Sequence, residues 1–299
     1  MGRRSAIVRI VLTASSAPVE DPSRLDVDQL LAERRQTLEA FRDPHRSPYA
    51  AVERRDFAGS QPLTLGSAQE CDLRLEGLHP RHARIRVDGD SFLVETLDAA
   101  ATLEIVPGGP TQRARVPPGA RVSLGRYTVR LSHQNFPALV LLDPRSPLLA
   151  GGAPPRWFEP DPAFRVIASL ERDPSPREEL VVSTRGNRRR AQRIGWLDFE
   201  VAGSRSRLVA LRLLEPGVDE SAVSILFRDA TSGHETYSVG RYLDPRALPG
   251  SRDRYVLDFN RAYNPVCAFS PHYNCPLPPQ ENRLVIPIRA GELDPGHAG

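Results

Sequence analysis

Short runs of alternating hydrophobic and polar residues recur along most of the chain, separated by turn residues. Between residues 62 and 132 these runs read LTLG, DLRL, ARIRV, SFLVET, TLEIV, RVSL and YTVRL. Alternation with a period of two is typical of half-buried β-strands. Strands that follow one another so closely predict a β-sandwich over residues 57–142.

A second series of strand-like runs begins at Trp157: FRVIASL, LVVST, IGWLDFEV, SRLVALRLL, AVSILFR, HETYSVGRYL, RYVLDFN and RLVIPIR. These runs predict a β-barrel or sandwich over residues 157–292. Residues 143–156 combine Pro, Gly and small residues and form a predicted linker. We therefore expect an all-β protein of two domains, with residues 293–299 as a tail.

One long segment has helical instead of strand periodicity. Hydrophobic residues at 3.6-residue spacing form a single stripe: Val27, Leu30, Leu31, Leu38 and Phe41. Asp26 and Gln29 stand where a capping box would place them, and Pro44 follows the end. The pattern predicts an N-terminal amphipathic helix at residues 26–43, after a flexible N-terminus at residues 1–25.

Composition limits the class of function without naming one. The 299 residues suit two domains, and the net charge of +3 does not indicate a nucleic-acid partner. All 40 basic residues are Arg, which suggests the codon usage of GC-rich bacterial DNA. We also find no apolar run of the ~20 residues that a membrane span needs.

The N-terminus, MGRRSAIVRIVLTASSAP, is only a poor match to a signal peptide. Arg9 interrupts its apolar stretch, and Pro18 would follow the predicted cleavage site. The odd number of Cys residues does not suggest a disulfide scaffold. We therefore expect a cytoplasmic protein, with secretion as the alternative.

Within the first strand series, roughly seventy residues from Leu63 onward resemble a forkhead-associated (FHA) domain, a β-sandwich that binds phosphothreonine peptides. The resemblance rests on Gly66, on CDLRL at residues 71–75, on HARI at residues 82–85, and on the closing LGRYTVRL. An Arg follows the Gly in that family and a Ser stands three residues before the His, but here these positions are Ser67 and His79. A phosphate clamp needs such donors. We therefore expect a degenerate FHA-like scaffold in which His82 is structural, and phosphopeptide binding remains an alternative.

Polar side chains concentrate near the end of the second strand series. If residues 234–242 form a strand, Glu235, Tyr237 and Arg241 share one face. Asp258 and Asn260 share a face of the strand predicted at residues 254–260. Buried charges must be paired, so we expect Glu235–Arg241 and Asp258–Arg pairs.

Two interpretations of this cluster compete. It is either a buried network that holds the fold, which we favour, or a pocket in which Arg241 holds an anionic group and Glu235 or Asp258 acts as acid or base. The predicted binding residues are Thr231, Glu235, Tyr237, Arg241, Tyr242, Asp258, Asn260, Tyr263, Asn264 and Asn282.

The same region resembles a bacterial family of unknown function, domain of unknown function 1684, from about Trp157 to Glu292. The resemblance is carried by these motifs: FRDATSG at residues 227–233, ETY at 235–237, GRY at 240–242, DFN at 258–260, AYNP at 262–265, CAF at 267–269, CPLPP at 275–279, EN at 281–282 and AGE at 290–292. The resemblance implies membership but no reaction.

Cys267 and Cys275 lie in this region with His272 between them. Two Cys and one His, even with His234 as a fourth residue, match a zinc site poorly, so we predict no metal and no cofactor. We expect two buried thiols beneath a Pro-rich strap at residues 276–279, with Pro265 and Pro276 in structural roles. A disulfide, or a Cys nucleophile with His272 as base, is the alternative.

The run Arg188–Arg190 is predicted to lie in an exposed hairpin turn.

These observations favour a non-catalytic binding or scaffold protein with a small polar or anionic ligand in the second domain. The partner is then an unknown small ligand or protein, with no nucleic acid and no membrane. The first alternative is a hydrolase that uses Glu235, Tyr237, Arg241, Asp258 and Cys267. The second is a phosphopeptide-binding module in the first domain.

Overall fold

The computed structural model describes residues 24–175 and 177–296 of the chain, so the predicted signal-like segment lies outside the described residues. The structure is mostly β, with one long helix near the N-terminus, which confirms the predicted fold class. Two compact units emerge. One consists of Arg42–Gly152 and Glu215–Gly217; the other consists of the described parts of Met1–Phe41, Ala153–Leu214 and Val218–Gly299.

The long helix, α1 (Val27–Arg42), begins where the capping residues predict. The Asp26 side chain accepts a hydrogen bond from the Gln29 backbone N–H at 2.9 Å, which satisfies one free donor of the first turn. Leu30 is buried, but Val27 and Leu31 are 41% and 37% exposed, so the predicted apolar stripe was wrong at these two positions. The helix belongs to the same unit as the C-terminal sheet.

The sandwich unit contains eleven strands and a short helix. They are β1 (Ala51–Asp56), β2 (Leu63–Gly66), β3 (Leu73–Arg74), β4 (Ala83–Asp88), β5 (Ser91–Thr96), β6 (Leu103–Val106), β7 (Gly109–Thr111), β8 (Arg113–Val116), β9 (Arg121–Leu124), β10 (Tyr127–Ser132), β11 (Ala138–Leu142) and α2 (Pro147–Gly151).

These strands form two sheets, with the orders β1-β11-β10-β9-β6-β7 and β3-β2-β4-β5-β8. One core contains buried side chains of both sheets, such as Ile85 and Phe92 from one and Val122 and Leu139 from the other. Alternate residues of each strand enter this core, as the period-two pattern predicts. The helix α2 lies within the segment that the sequence predicts to be a linker.

The described residues of the C-terminal unit form eight strands. They are β12 (Arg165–Arg172), β13 (Glu178–Val182), β14 (Arg188–Val201), β15 (Ser204–Leu213), β16 (Ile225–Phe227), β17 (Arg241–Leu243), β18 (Arg246–Ala247) and β19 (Arg254–Asp258). The main sheet has the order β13-β14-β12-β19-β18, with β15 paired to β14, and β16 and β17 form a separate pair.

Two predicted strands of this unit are wrong. Residues 234–240 form turns, and only Arg241–Leu243 enters a strand. The segment RLVIPIR at residues 283–289 has a single bridge, between Arg283 and Arg228, and leaves Val285 89% exposed. Instead of pairing with a strand, this segment hydrogen-bonds to a buried side chain: the carbonyl of Ile288 accepts a hydrogen bond from Arg241 at 2.8 Å.

The Arg188–Arg190 run also differs from the prediction. It lies inside β14, in register with Leu180, Val181 and Val182 of β13, and not in the turn. Because side chains of a strand alternate between faces, Arg189 points inward while its neighbours point to solvent. Arg189 is buried, and its guanidinium donates to the carbonyl of Asn274 at 3.4 Å.

Candidate functional site

Arg241, the first residue of β17, is fully buried at the centre of the polar cluster. Its Nη2 donates to the carboxylate of Asp229 at 2.8 Å and to the Ile288 carbonyl. Its Nη1 donates to the carbonyls of Ala290 and Glu292. We call these groups the Arg241 cluster. Burial lowers the pKa of Arg241 and the Asp229 carboxylate opposes this change, so the guanidinium keeps its charge.

Asp229 is held in place by the turn that follows it. Its Oδ1 accepts hydrogen bonds from the backbone N–H of Thr231 at 2.7 Å and from the Thr231 hydroxyl at 2.5 Å. The Thr231 and Thr236 hydroxyls lie 2.8 Å apart. This turn chemistry explains why a β-like sequence pattern does not form a strand here, since local hydrogen bonds compete with a ladder.

Asp258, at the end of β19, has its own set of partners. Its Oδ2 accepts from Arg165 at 2.8 Å and from Arg261, and its Oδ1 accepts from the backbone N–H of Asn260. The Arg261 Nε also donates to Glu33 of α1 at 2.8 Å. We call these residues the Asp258 cluster. It ties the helix to the C-terminal sheet.

Three buried Asn side chains replace missing strand partners. Asn282 accepts from the Val209 N–H at 2.7 Å and donates to the Val209 and Leu226 carbonyls. Asn260 bonds both the N–H and the carbonyl of Asp161. Asn264 donates to the Leu293 carbonyl at 2.7 Å, and its backbone N–H donates to the Glu292 side chain. Such bonds satisfy backbone groups that would otherwise be buried without a partner.

The aromatic residues of the cluster support the Pro-rich strap. The Tyr242 hydroxyl donates to the Pro276 carbonyl, and burial strongly raises the pKa of Tyr242. The rings of Tyr242 and Tyr263 meet edge to face, with 5.7 Å between their centroids. The Tyr263 hydroxyl donates to Asp244 at 3.1 Å. The strap itself joins β13, because the Leu277 N–H donates to the Val182 carbonyl at 2.7 Å.

Residues 155–293 match the model of a family described as protein of unknown function (DUF1684). An uncharacterized protein of Haloarcula marismortui, solved by solution NMR, is 34% identical to this chain. The match covers 47% of this chain and 76% of that one, with a TM-score of 0.38. The chain belongs to the DUF1684 family. This confirms the resemblance carried by the motifs at residues 227–292.

Solved FHA domains are similar to another part of the chain. The FHA domain of FhaA, in complex with the intracellular domain of a second protein, is 19% identical and covers 29% of this chain and 96% of its own (TM-score 0.21). An FHA domain from Chlamydia trachomatis is 18% identical and covers 30% and 94% (TM-score 0.22). Among curated proteins there is no significant match.

The DUF1684 domain does not bring the predicted acid, base and cation together. The predicted Glu235–Arg241 pair is wrong, because Glu235 pairs with Arg289 at 2.9 Å while Arg241 pairs with Asp229. The reason is local. The turn at residues 229–236 turns Glu235 outward, where both partners are partly exposed. Asp258 has the expected Arg partners, namely Arg165 and Arg261.

Unused hydrogen-bonding groups gather near Glu292 in the DUF1684 unit. The Arg34 guanidinium, from α1, lies over the Trp157 ring with 5.5 Å to its centroid. Its Nε and Nη2 are buried and have no hydrogen-bond partner among the described residues. Trp157 forms a β-bridge with Glu292. The Asn264 N–H donates to the Glu292 side chain, and the buried Asn264 Oδ1 has no partner within the part of the chain that the structure describes. Burial lowers the pKa of Arg34, and the carboxylates of Glu159, Glu292 and Asp258 oppose this change.

The cysteines of the DUF1684 domain are free thiols, and Cys275 is buried while Cys267 is half-buried. Within the described residues, no group of three or more His, Cys, Asp or Glu is placed to hold a metal ion. In the same described part, no helix is both long and apolar enough to cross a bilayer.

In the sandwich unit, the positions that depart from the FHA pattern are engaged with each other. The Ser67 N–H donates to the His79 carbonyl at 3.1 Å, and the His79 ring lies 3.1 Å from Asp98. His82 is 5% exposed and donates from Nε2 to the Thr102 carbonyl at 3.2 Å. Burial lowers the pKa of His82, which favours the neutral ring.

Several residues of the site are not evident from the sequence. In the sequence, Asp229 indicates only a turn at residues 229–233. The Asp-x-Thr pattern also lets the backbone N–H and the hydroxyl of Thr231 hold the Asp229 carboxylate. Glu33 and Arg34 look like part of a solvated helix face, and no signal in one sequence tells which unit a helix joins. Glu292 lies in a family motif, but its contacts arise because the end of the domain forms an antiparallel β-bridge with Trp157 at its beginning.

Proposed function

We propose that this protein is a non-catalytic binding protein whose C-terminal unit takes a small polar or anionic molecule beside Arg34, Trp157 and Asn264. The Arg241 and Asp258 clusters form the rigid frame of that unit. The location thus differs from the pocket at Arg241 that the sequence suggested, whereas the class of ligand is retained.

The commitment of Arg241 argues against a ligand at that residue. Both of its terminal nitrogens already donate within the protein, and its side chain is 1% exposed. A ligand would have to displace Asp229 and leave a buried carboxylate without its partner, which costs several kcal/mol.

Arg34 carries the proposal. Its buried Nε and Nη2 have no partner in residues 24–175 and 177–296, and a buried donor without a partner costs about 1–3 kcal/mol. A bound oxygen acceptor would recover that free energy. The Trp157 ring below the guanidinium offers an apolar face, and the Asn264 Oδ1 offers an acceptor to a ligand hydroxyl or amine. Few convergent polar groups beside an aromatic ring are typical of small-molecule sites.

The hydrolase alternative has less support, because its residues are committed elsewhere. Glu235 pairs with Arg289 at the surface, and Asp258 is held by Arg165 and Arg261. Ester, phosphate and glycoside substrates should give no turnover above a protein-free control. Turnover that Glu235→Gln or Asp258→Asn abolishes would restore the hydrolase.

Phosphopeptide binding also has less support. One of the solved FHA domains that resemble this chain is described by its phosphothreonine-dependent interactions. In this chain Arg84, one of the motif cations, is paired with Glu95 at 2.7 Å. Saturable binding of a phosphothreonine peptide that Arg81→Gln abolishes would favour this function instead.

The binding proposal can be tested by calorimetry with acetate, succinate, citrate, glycine and phosphate as probes. We expect at least one probe to bind the wild type, and Arg34→Gln to weaken it about tenfold or more, as loss of a charged hydrogen bond implies. Arg35→Gln is the matched control, since Arg35 is the exposed neighbour on α1. Binding that Arg34→Gln leaves unchanged, or no binding of any probe, would contradict the proposal.

A further inference from the structure

Cys267 and Cys275 lie together at the base of the Pro-rich strap, although seven residues separate them in the sequence. The Cys267 backbone N–H lies 3.4 Å from the Cys275 sulfur, and the Cys267 thiol donates a hydrogen bond to the same sulfur. The first turn of a short 3-10 helix, Val266–Ala268, brings them into contact. Two free thiols in hydrogen-bond contact need only a small movement to form a bond.

Polar groups surround both sulfurs. The hydroxyls of Tyr237 and Thr184 donate to the Cys267 sulfur. The Cys275 sulfur accepts from the backbone of Val266 and Cys267 and lies near the buried guanidinium of Arg189. Thr184 also bonds the Cys275 backbone N–H at 3.1 Å. Inert buried cysteines sit among apolar groups, whereas donors and a nearby cation are typical of reactive ones.

The two thiols differ in their access to solvent. Cys275 is 4% exposed, while Cys267 is half-buried and Tyr237 beside it is also partly exposed. A small oxidant can therefore reach Cys267 first. The hydrogen bond from the Cys267 thiol lowers the pKa of Cys275 and raises that of Cys267, so Cys275 is the more acidic thiol of the pair.

We propose that Cys267 and Cys275 form a redox-active dithiol that a small peroxide oxidises to a reversible intramolecular disulfide. Cys275 gives its proton to solvent and takes up the proton of Cys267, and the Cys267 sulfur attacks a peroxide oxygen. The O–O bond breaks, hydroxide leaves, and Cys267 becomes a sulfenic acid. The Cys275 sulfur then attacks the Cys267 sulfur, the S–O bond breaks, and both hydroxides leave as water with the two thiol protons. Two thiols are oxidised and one peroxide is reduced.

The roles within the pair are distinct. Cys267 is the peroxide-reactive residue, and Cys275 is the resolving residue. Tyr237 and Thr184 are positioning residues, because their hydroxyls stabilise the Cys267 thiolate. Cys71 has no second Cys in its own unit. Its thiol donates to the Pro80 carbonyl, and burial raises its pKa.

The test is oxidation of the reduced full-length protein with hydrogen peroxide, followed by intact mass spectrometry and peptide mapping after alkylation. We expect the mass to fall by two hydrogen atoms, a Cys267–Cys275 crosslink, and recovery of both thiols with dithiothreitol. Cys71→Ser is the matched control and should give the same crosslink. With Cys275→Ser, dimedone should label Cys267 as a stable sulfenic acid.

Tyr237→Phe separates a positioning role from simple packing. Loss of one hydrogen bond to the thiolate should slow crosslinking about tenfold, since that factor corresponds to ~1.4 kcal/mol. Overoxidation of Cys267 without a crosslink, a disulfide that involves Cys71 or a second chain, or thiols that stay fully alkylatable after peroxide would each overturn the proposal. The wild-type measurement decides it even if a variant fails to fold.

Discussion

Arg241 shows how a buried charge can be structural when both of its terminal nitrogens have partners within the protein. Its Nη groups meet one carboxylate and three carbonyls, and those carbonyls belong to residues 288–292 near the end of the family match. The Arg241 side chain therefore holds residues 288–292 in place, although this segment does not pair with a neighbouring strand over several residues. A buried ion pair adds little over an apolar core, but removal of one partner is costly.

Arg241→Gln should therefore lower the free energy of unfolding of the C-terminal unit by about 3–5 kcal/mol, because Asp229 would keep a buried charge without its partner. Urea unfolding followed by tryptophan fluorescence measures this change, since Trp157 and Trp196 both lie in that unit. Arg289→Gln is the matched control. It breaks the exposed pair with Glu235 and should lower the free energy of unfolding far less, because solvent screens an exposed ion pair. Equal losses in the two variants would refute the distinction.

His82 makes the sandwich unit sensitive to acid. Its folded pKa is lowered by burial, and the charge of His79 adds to this effect while Asp98 opposes it. The stability from the neutral ring is therefore complete above the unfolded pKa of about 6.5 and is lost as the pH falls towards the folded pKa.

We expect the sandwich to lose up to about 1.4 kcal/mol per pH unit below pH ~6.5 through this residue. His82→Gln should remove that slope, whereas His133→Gln, at a partly exposed position beside Gly89, should keep it. The measurement is amide exchange of β4 and β5, corrected for the intrinsic effect of pH. An unchanged slope in His82→Gln would show that other groups cause it.

At the scale of elements, the segment from β16 to β17 depends on close backbone contacts more than on strand pairing. β16 and β17 pair over only three residues, and the turn before β17 passes under the strap. Gly240 has φ +113°, and a Cβ there would lie 2.5 Å from the Phe227 carbonyl oxygen and 2.8 Å from Pro278. Only Gly fits at this position, because a side chain would strain the backbone at a positive φ and would also collide with Phe227 and Pro278.

Gly240→Ala should destabilise the C-terminal unit more than Gly186→Ala does. Gly186 also has a positive φ, +81°, but a Cβ at this position would meet no other atom within 4 Å, so only conformational strain of about 1–3 kcal/mol applies. We expect the Gly240 variant to lose at least ~1 kcal/mol more, from the backbone contact. Urea midpoints by tryptophan fluorescence compare the two. A smaller loss at Gly240 would mean that the strap moves away easily.

At the scale of the whole molecule, the C-terminal unit is discontinuous. The family match begins at residue 155, but α1 lies far ahead of it in the chain and still belongs to the same unit. Glu33 pairs with Arg261, and the rings of Phe41 and Phe269 meet edge to face at 4.7 Å. The helix is therefore part of the DUF1684 unit and also supplies Arg34 to the proposed ligand site.

A fragment of residues 153–299 should consequently be less stable than the whole chain, by several kcal/mol, because a buried ion pair and an aromatic contact lose their partners. A synthetic peptide of residues 24–42 should restore part of this stability in proportion to its concentration. The peptide with Phe41→Ala should restore less. A fragment whose tryptophan-monitored urea midpoint equals that of the whole chain would contradict this view of the helix.

Local pattern by itself determined much of the fold. Period-two runs predicted most of the strands of both units, because the two faces of a strand have different surroundings wherever one faces a core. Asp26 and Gln29 located the start of α1, since a cap depends only on neighbouring residues. Family motifs at residues 227–292 located the DUF1684 domain, which the family match confirms.

Only the tertiary structure decided which charges meet. The sequence pattern placed Glu235 and Arg241 on one face of a predicted strand. In the structure these residues follow a turn at Asp229, so that Arg241 pairs with Asp229 and Glu235 pairs with Arg289. Glu33 meets Arg261, Arg34 meets Trp157, and Asn264 meets Glu292, each through a contact between residues far apart in the chain. The physical reason is that strands and caps follow from local geometry, whereas burial of a charge depends on what the rest of the chain places around it.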